Sequence, residues 1–257
     1  MRKKIKFIFL ILFFININYY TLFAYDSNLV KFRIESYDKT ILNTKINADT
    51  FSKAIKEVAL KNNDINIIFD LQNSDIYSIN GIENNIFTKY DRWLACILRG
   101  DEIIDIKKNF NINLKRGDTV LLYYGDMNKT NIISDIETHK EGNNLVITTK
   151  RNYEKWVEIK NKNWVPENIT EYVKGAMLRI ILPNNEIKIL KTNDKGEATL
   201  PLSIPGIYEY NVETYAEEKT PNFVKTDDLY YFAGVDNVDK VTRGEAAFFI
   251  TQVFKID

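Results

Sequence analysis

A small α+β module, an all-β sandwich and a short C-terminal helix, set behind a removable leader, make up the fold that the sequence predicts. Three observations carry that expectation. Residues 28–126 hold one run of helical period among runs of strand period, and residues 132–232 hold only short β-prone runs broken by Asn, Gly, Pro and Asp. Residues 234–257 end the chain with a capped apolar stripe.

The leader comes first. Arg2, Lys3, Lys4 and Lys6 precede an apolar run from Phe7 to Ile15, which turns polar at Asn16 and Asn18 and closes on Leu22-Phe23-Ala24. A basic start, a short apolar core and a small residue at the end form the signal-peptide pattern, so residues 1–24 are expected to be removed. The apolar core is much shorter than the roughly 18–20 residues of a bilayer-spanning helix, which disfavours an anchor. No later segment is apolar over a spanning length, so membrane contact is expected only transiently, through the signal peptide.

The 35 basic residues balance 35 acidic ones, and loss of the four leader cations leaves 31 against 35, a net charge of −4. That charge is weak and evenly spread, whereas nucleic-acid binding needs a basic patch, so no nucleic-acid partner is expected. Cys96 is the only cysteine, which excludes an intramolecular disulfide, and its neighbours Leu94, Ala95, Ile97 and Leu98 predict a buried thiol. His139 is the only histidine, between Thr138 and Lys140, and reads as a solvated loop residue.

In the first module Leu29 to Ile34 alternates as a strand and a second short run surrounds Ile41 and Leu42. Phe51, Ala54, Ile55, Val58 and Ala59 then recur at helical spacing behind Asp49 and Thr50, either of which can cap the first free N–H groups. Strands are expected at Ile65 to Phe69 and Ile76 to Ile79, with Asn80-Gly81 turning the chain. Arg92 to Leu98 reads as a buried strand around Trp93, Gly100-Asp101 as its turn and Glu102 to Ile106 as the return. Leu114 to Asp118 feeds a last β-prone run, Thr119 to Tyr124, which gives one helix on a small mixed sheet.

The early helix, Ile79-Asn80-Gly81-Ile82-Glu83, the strand from Arg92 to Leu98 with Arg99-Gly100-Asp101, and Lys115 to Tyr124 resemble a bacterial domain of unknown function. That domain is related to the C-terminal domain of transcobalamin. The resemblance covers about residues 28–126 and implies a β-grasp-like fold, with a corrinoid-like small molecule as one candidate ligand. Where the family usually has an Asn-Gly turn after the tryptophan strand, this chain has Arg99-Gly100.

Beyond Ile132, β runs are expected at Leu145 to Thr149, Trp156 to Ile159, Ala176 to Leu182, Ile187 to Lys191, Ala198 to Leu202 and Ile207 to Thr214. Asp194-Lys195-Gly196 and Pro205-Gly206 read as two tight hairpin turns, and Tyr208, Tyr210 and Val212 alternate onto one face. Val173 to Met177, Thr192 to Ala198 and Pro205 to Tyr210 resemble an immunoglobulin-like repeat of bacterial surface proteins, which implies a sandwich over residues 132–232.

At the C-terminus Thr242 and Glu245 form a Thr-x-x-Glu capping box, with Val241 and Ala246 as its hydrophobic staple. Ala246, Ala247, Phe249, Ile250, Val253 and Phe254 line one helical face. Val241 to Ile250 is similar to the Thr-Arg-x-Glu segment of the S-layer homology module, over about residues 234–256. The resemblance implies that Arg243 contacts an anionic cell-wall glycan, to which a planar guanidinium fork is suited, while Thr242 and Glu245 fix the helix start.

No nucleophile-and-base arrangement is expected, because His139 and Cys96 stand alone and in unsuitable surroundings. Zinc lacks its usual Cys and His ligands, no phosphate-binding glycine loop is present, and no cofactor is expected. Asp236 and Asp239 read as solvated turn residues rather than calcium ligands. Arg99-Gly100-Asp101 and Arg116-Gly117-Asp118 read as turn chemistry rather than adhesion signals. Trp93 is assigned to the core, and the burial habits of tryptophan favour packing over exposure for Trp156 and Trp164 as well. The expectation is an exported, non-catalytic surface protein. Its partner would be a cell-wall polysaccharide or surface protein, with a small-molecule ligand or a role beside a polysaccharide-degrading enzyme as alternatives.

Overall fold

The computed structural model describes residues 28–70, 75–106, 111–159, 163–213 and 220–234. Among them the chain is mostly sheet, 58% strand with one short helix. The leader and the C-terminal segment with Thr242, Arg243 and Glu245 lie outside the described residues, as do Asp236 and Asp239.

The first part runs β1 (Leu29–Glu35), β2 (Thr40–Asn47), α1 (Phe51–Lys61), β3 (Ile67–Asp70), β4 (Asp75–Ile79), β5 (Ile82–Glu83), β6 (Asp91–Arg99), β7 (Glu102–Asp105) and β8 (Thr119–Asp126). β1 pairs antiparallel with β2 and parallel with β8, and β8 continues antiparallel to β6 and then β7. β3, β4 and β5 form a small separate sheet. Asn80 and Gly81, both at positive φ, make the tight turn between β4 and β5.

Helix α1 forms because its apolar residues fall on one face and both ends are satisfied. The Thr50 hydroxyl accepts the Lys53 N–H at 3.3 Å, and at the far end the Asn62 side chain donates to the Val58 carbonyl at 2.9 Å. Phe51, Ala54, Ile55 and Val58 are buried against Phe32, Ile34, Trp93, Ile97, Val120 and Leu122 of the large sheet. Trp93 is fully buried, and its indole N–H donates to the Ile82 carbonyl at 2.7 Å.

The second part adds β9 (Asp135–Glu141), β10 (Asn144–Ile159), β11 (Asn163–Tyr172), β12 (Met177–Ile181), β13 (Ile187–Lys191), β14 (Glu197–Pro201), β15 (Gly206–Val212) and β16 (Leu229–Ala233). β9, the first half of β10, and β14 form one layer; β13, β12, β15 and β16 form the other in that order. Leu145, Ile147, Leu178, Ile180, Leu200 and Tyr208 interdigitate between them as a dry core.

Four expectations change here. Asp194 to Gly196 and Pro205-Gly206 are not hairpin turns: β13 and β14, and likewise β14 and β15, belong to opposite layers, so both turns carry the chain across the core. Gly196 is required at its crossing, since at φ +71° an added Cβ would lie 2.8 Å from the Thr149 carbonyl oxygen. His139 is exposed as expected but sits within β9, paired with Val146, rather than in a loop. The runs at Leu145 to Thr149 and Trp156 to Ile159 are two ends of one 16-residue strand, β10.

The outer half of β10 leaves the sandwich and pairs with β11 from Lys150↔Tyr172 to Ile159↔Asn163, forming a long two-stranded arm. Near its base Asn152 and Tyr153 pair in parallel with Glu102 and Ile103 of β7, so one sheet runs from the first part into the second. The other face of the first sheet is closed by Ile132 and Val224 over Cys96, Leu121 and Tyr123. Val224 is held by its N–H donating to the Asn131 carbonyl at 3.0 Å.

Candidate functional site

An open cleft of about 750 Å³ lies between the first sheet and the base of the arm. Its floor is β6 and β7, from Arg92 to Cys96 and Ile103 to Asp105, and one wall is Arg151 to Glu154 with Asn168 to Thr170 of the arm. Met127, Thr130 and Ile132 close the other side. The cleft arises because β10 pairs with β7 over only two residues before the arm takes β10 away.

The walls mix apolar surface with a few placed polar groups, the usual make-up of a ligand cleft. Arg92 Nη1 stands 3.7 Å from Asp75 Oδ2, a partly exposed pair. Arg151 donates from Nη1 to Asn131 Oδ1 at 2.9 Å, and its guanidinium lies 4.6 Å over the Tyr153 ring. Asn152 donates from Nδ2 to Asp101 Oδ2 at 3.1 Å. Two polar atoms here are buried and meet no partner: Arg92 Nε, a donor, and Asn152 Oδ1, an acceptor. Unpaired buried polar atoms are costly and uncommon, so both residues are held at the cleft wall at some expense of stability.

The groups on the floor are chemically quiet. Burial pushes the Cys96 thiol far up from its ordinary value, with the Asp105 carboxylate adding to the effect, so the thiolate that would act as nucleophile is suppressed. Burial likewise pushes up the Tyr123 hydroxyl. Among the described residues no cluster of three or more His, Cys, Asp and Glu side chains is placed to hold a metal ion.

The two Arg-Gly-Asp turns meet each other. Arg99 of the first forms a bidentate pair with Asp118 of the second, Nε to Oδ1 at 2.9 Å and Nη2 to Oδ2 at 2.8 Å. Asp118 also accepts the Lys115 N–H at 2.8 Å and is buried, so these side chains tie two turns together. Trp156 and Trp164 are exposed on the arm, against the expectation that they pack inside or between modules. The arm stands away from both cores, so burial habits had nothing to act on.

Sequence reading did not find the cleft, because its residues, from Asp75 to Thr170, come from strands spread over more than a third of the chain and no local motif links them. Comparison with family models, curated proteins and solved structures finds no match for this chain.

Proposed function

We propose that the chain is an exported, non-catalytic binding protein of a bacterial cell surface, which holds its ligand in the cleft between β7 and the β10–β11 arm. The observation that carries this reading is the open cleft of about 750 Å³ itself, lined by Arg92, Arg151 and Asn152 among apolar side chains. Export rests on the leader pattern of residues 1–24. Attachment to wall polysaccharide through Thr242, Arg243 and Glu245 rests on the S-layer-homology-like segment.

The module readings gain physical support. The order β2-β1-β8-β6-β7, with β1 parallel to β8 and α1 across the sheet, is consistent with the β-grasp-like module related to transcobalamin. In the second part, layers β9-β10-β14 and β13-β12-β15-β16 suit an immunoglobulin-like sandwich. Tyr208, near the start of β15, donates its hydroxyl to the Ile204 carbonyl at 2.7 Å, as the tyrosine corner of such sandwiches does. The cleft volume, within the roughly 300–1,000 Å³ of small-molecule sites, favours a second reading, an extracellular small-molecule binder with a corrinoid-like ligand.

Co-sedimentation with purified cell envelopes tests the first reading. The mature protein should pellet, Arg243→Ala should remain largely in the supernatant, and the loop control Lys195→Ala should behave as wild type. Arg92→Met, which keeps the stem and removes the guanidinium, should weaken capture of the cleft ligand about ten-fold. Wild-type protein left in the supernatant contradicts surface attachment. A visible-spectrum shift on corrinoid titration would favour the small-molecule reading, and an unchanged spectrum at millimolar ligand removes it.

A further inference from the structure

We infer that the open face of the β10–β11 arm is a second binding site, a stacking strip for an uncharged polysaccharide chain. Strand alternation and the register Trp156↔Pro166, Glu158↔Trp164 and Glu154↔Asn168 put these six side chains on one face. All six are exposed, Trp156 at 50% and Trp164 at 57%. On the opposite face Tyr153, Val157 and Ile169 are half-buried. The two indoles are diagonal neighbours across the ladder, about 7–8 Å apart at their Cα atoms, so together they cover more than one sugar ring.

The chemistry of the strip matches a pyranose. A sugar ring presents a C–H face that needs a flat apolar plate and a rim of hydroxyls that needs donors and acceptors. Trp156, Trp164 and Pro166 supply the plates; the Glu154 and Glu158 carboxylates accept hydroxyl hydrogens, and the Asn168 amide both donates and accepts. The ten paired positions of the arm fix this layout before any ligand arrives, which lowers the ordering cost of binding.

Charge decides between ligand classes. The six positions carry two carboxylates and no Lys or Arg, so none of them offers a cationic partner to a phosphate- or carboxylate-bearing polymer or to anionic lipid. Insertion into a bilayer is further disfavoured because Glu158, directly opposite Trp164, would have to leave water with the indole. The inference rests on the exported reading only for where such a glycan is met; the strip borders the cleft at Glu154 and Asn168, while Trp156, Trp164, Glu158 and Pro166 lie outside the cleft lining.

Tryptophan emission of the purified mature protein, titrated with chitohexaose, cellohexaose and mannohexaose, tests it. At least one hexaose should give a saturable change. Trp156→Ala and Trp164→Ala should each weaken it about ten-fold and the double variant should abolish it, with melting temperature unchanged. Absence of a response to all three sugars, or a response kept in the double variant, overturns the proposal. So does binding to phosphatidylglycerol vesicles, without sugar binding, that the double variant loses. Arg243→Ala and Arg92→Met should keep the sugar response, so loss of envelope binding in the first or of cleft binding in the second leaves this result standing by itself.

Discussion

Arg33→Ala should lower unfolding free energy by about 3–5 kcal/mol in urea titrations, because it strands a buried carboxylate. The Arg33 and Glu35 side chains are almost fully buried, and Arg33 Nη2 donates to Glu35 Oε1 at 2.6 Å and to the Lys225 carbonyl at 2.7 Å. Its Nη1 also stands 3.3 Å from Asp227 Oδ1, to which Lys31 adds a contact at 2.6 Å. One guanidinium therefore fastens the segment before β16 to the first sheet. Replacing the pair together, Arg33→Met with Glu35→Leu, should cost less than Arg33→Ala alone, since no charge is then left unpaired. A loss under about 1 kcal/mol for Arg33→Ala would show that Arg33, through Glu35, the Lys225 carbonyl and Asp227, does not hold this region together.

Asp91→Ala should cost about 4 kcal/mol, as it removes the acceptor of several donors at once. The buried Asp91 carboxylate accepts the Phe87 N–H at 3.1 Å, the Thr88 N–H and the Tyr124 hydroxyl. Tyr124 in turn packs edge-on to Trp93 at 5.4 Å and to Tyr37 at 5.8 Å, so loss of the carboxylate loosens the aromatic heart of the first part. Burial by itself raises the Asp91 carboxyl, but the hydrogen bonds from Thr88, Tyr124 and Phe87 outweigh it and hold the group below its ordinary 3.8. The unfolded chain therefore takes up this proton first as pH falls. Asp91 contributes its full stabilisation above pH 3.8 and loses it as pH drops through the lower folded value. Melting curves should show the wild-type advantage over Asp91→Ala intact at pH 7 and shrinking below that point; an advantage that grows with acid would refute the assignment.

The elements legible in the sequence were those whose pattern is local. The period of Phe51, Ala54, Ile55 and Val58 marked α1, the apolar run around Trp93 marked β6, and the thiol of Cys96 is buried as its neighbours implied. Asn80-Gly81 marked its turn because that dipeptide fits positive φ at both positions. Strands with little apolar surface to bury gave no such signal. β9, Asp135–Glu141, is largely polar, and β11, Asn163–Tyr172, carries Pro166 and alternates little, since neither of its faces is pressed into a core. Turn residues foretold where the chain bends at Gly196 and Gly206 but not which layer it enters, because pairing partners are set by distant strands. The cleft was illegible for the same reason: Arg92 and Asn152 come to line one cleft only through the short parallel contact of β7 with β10.

The central claim, an exported protein that works by binding at the cell surface, is tested most directly by the intact mass and location of the chain in producing cells. The account predicts a species beginning at Tyr25 in the envelope or culture fluid. A full-length chain starting at Met1 and confined to the cytosol would contradict it.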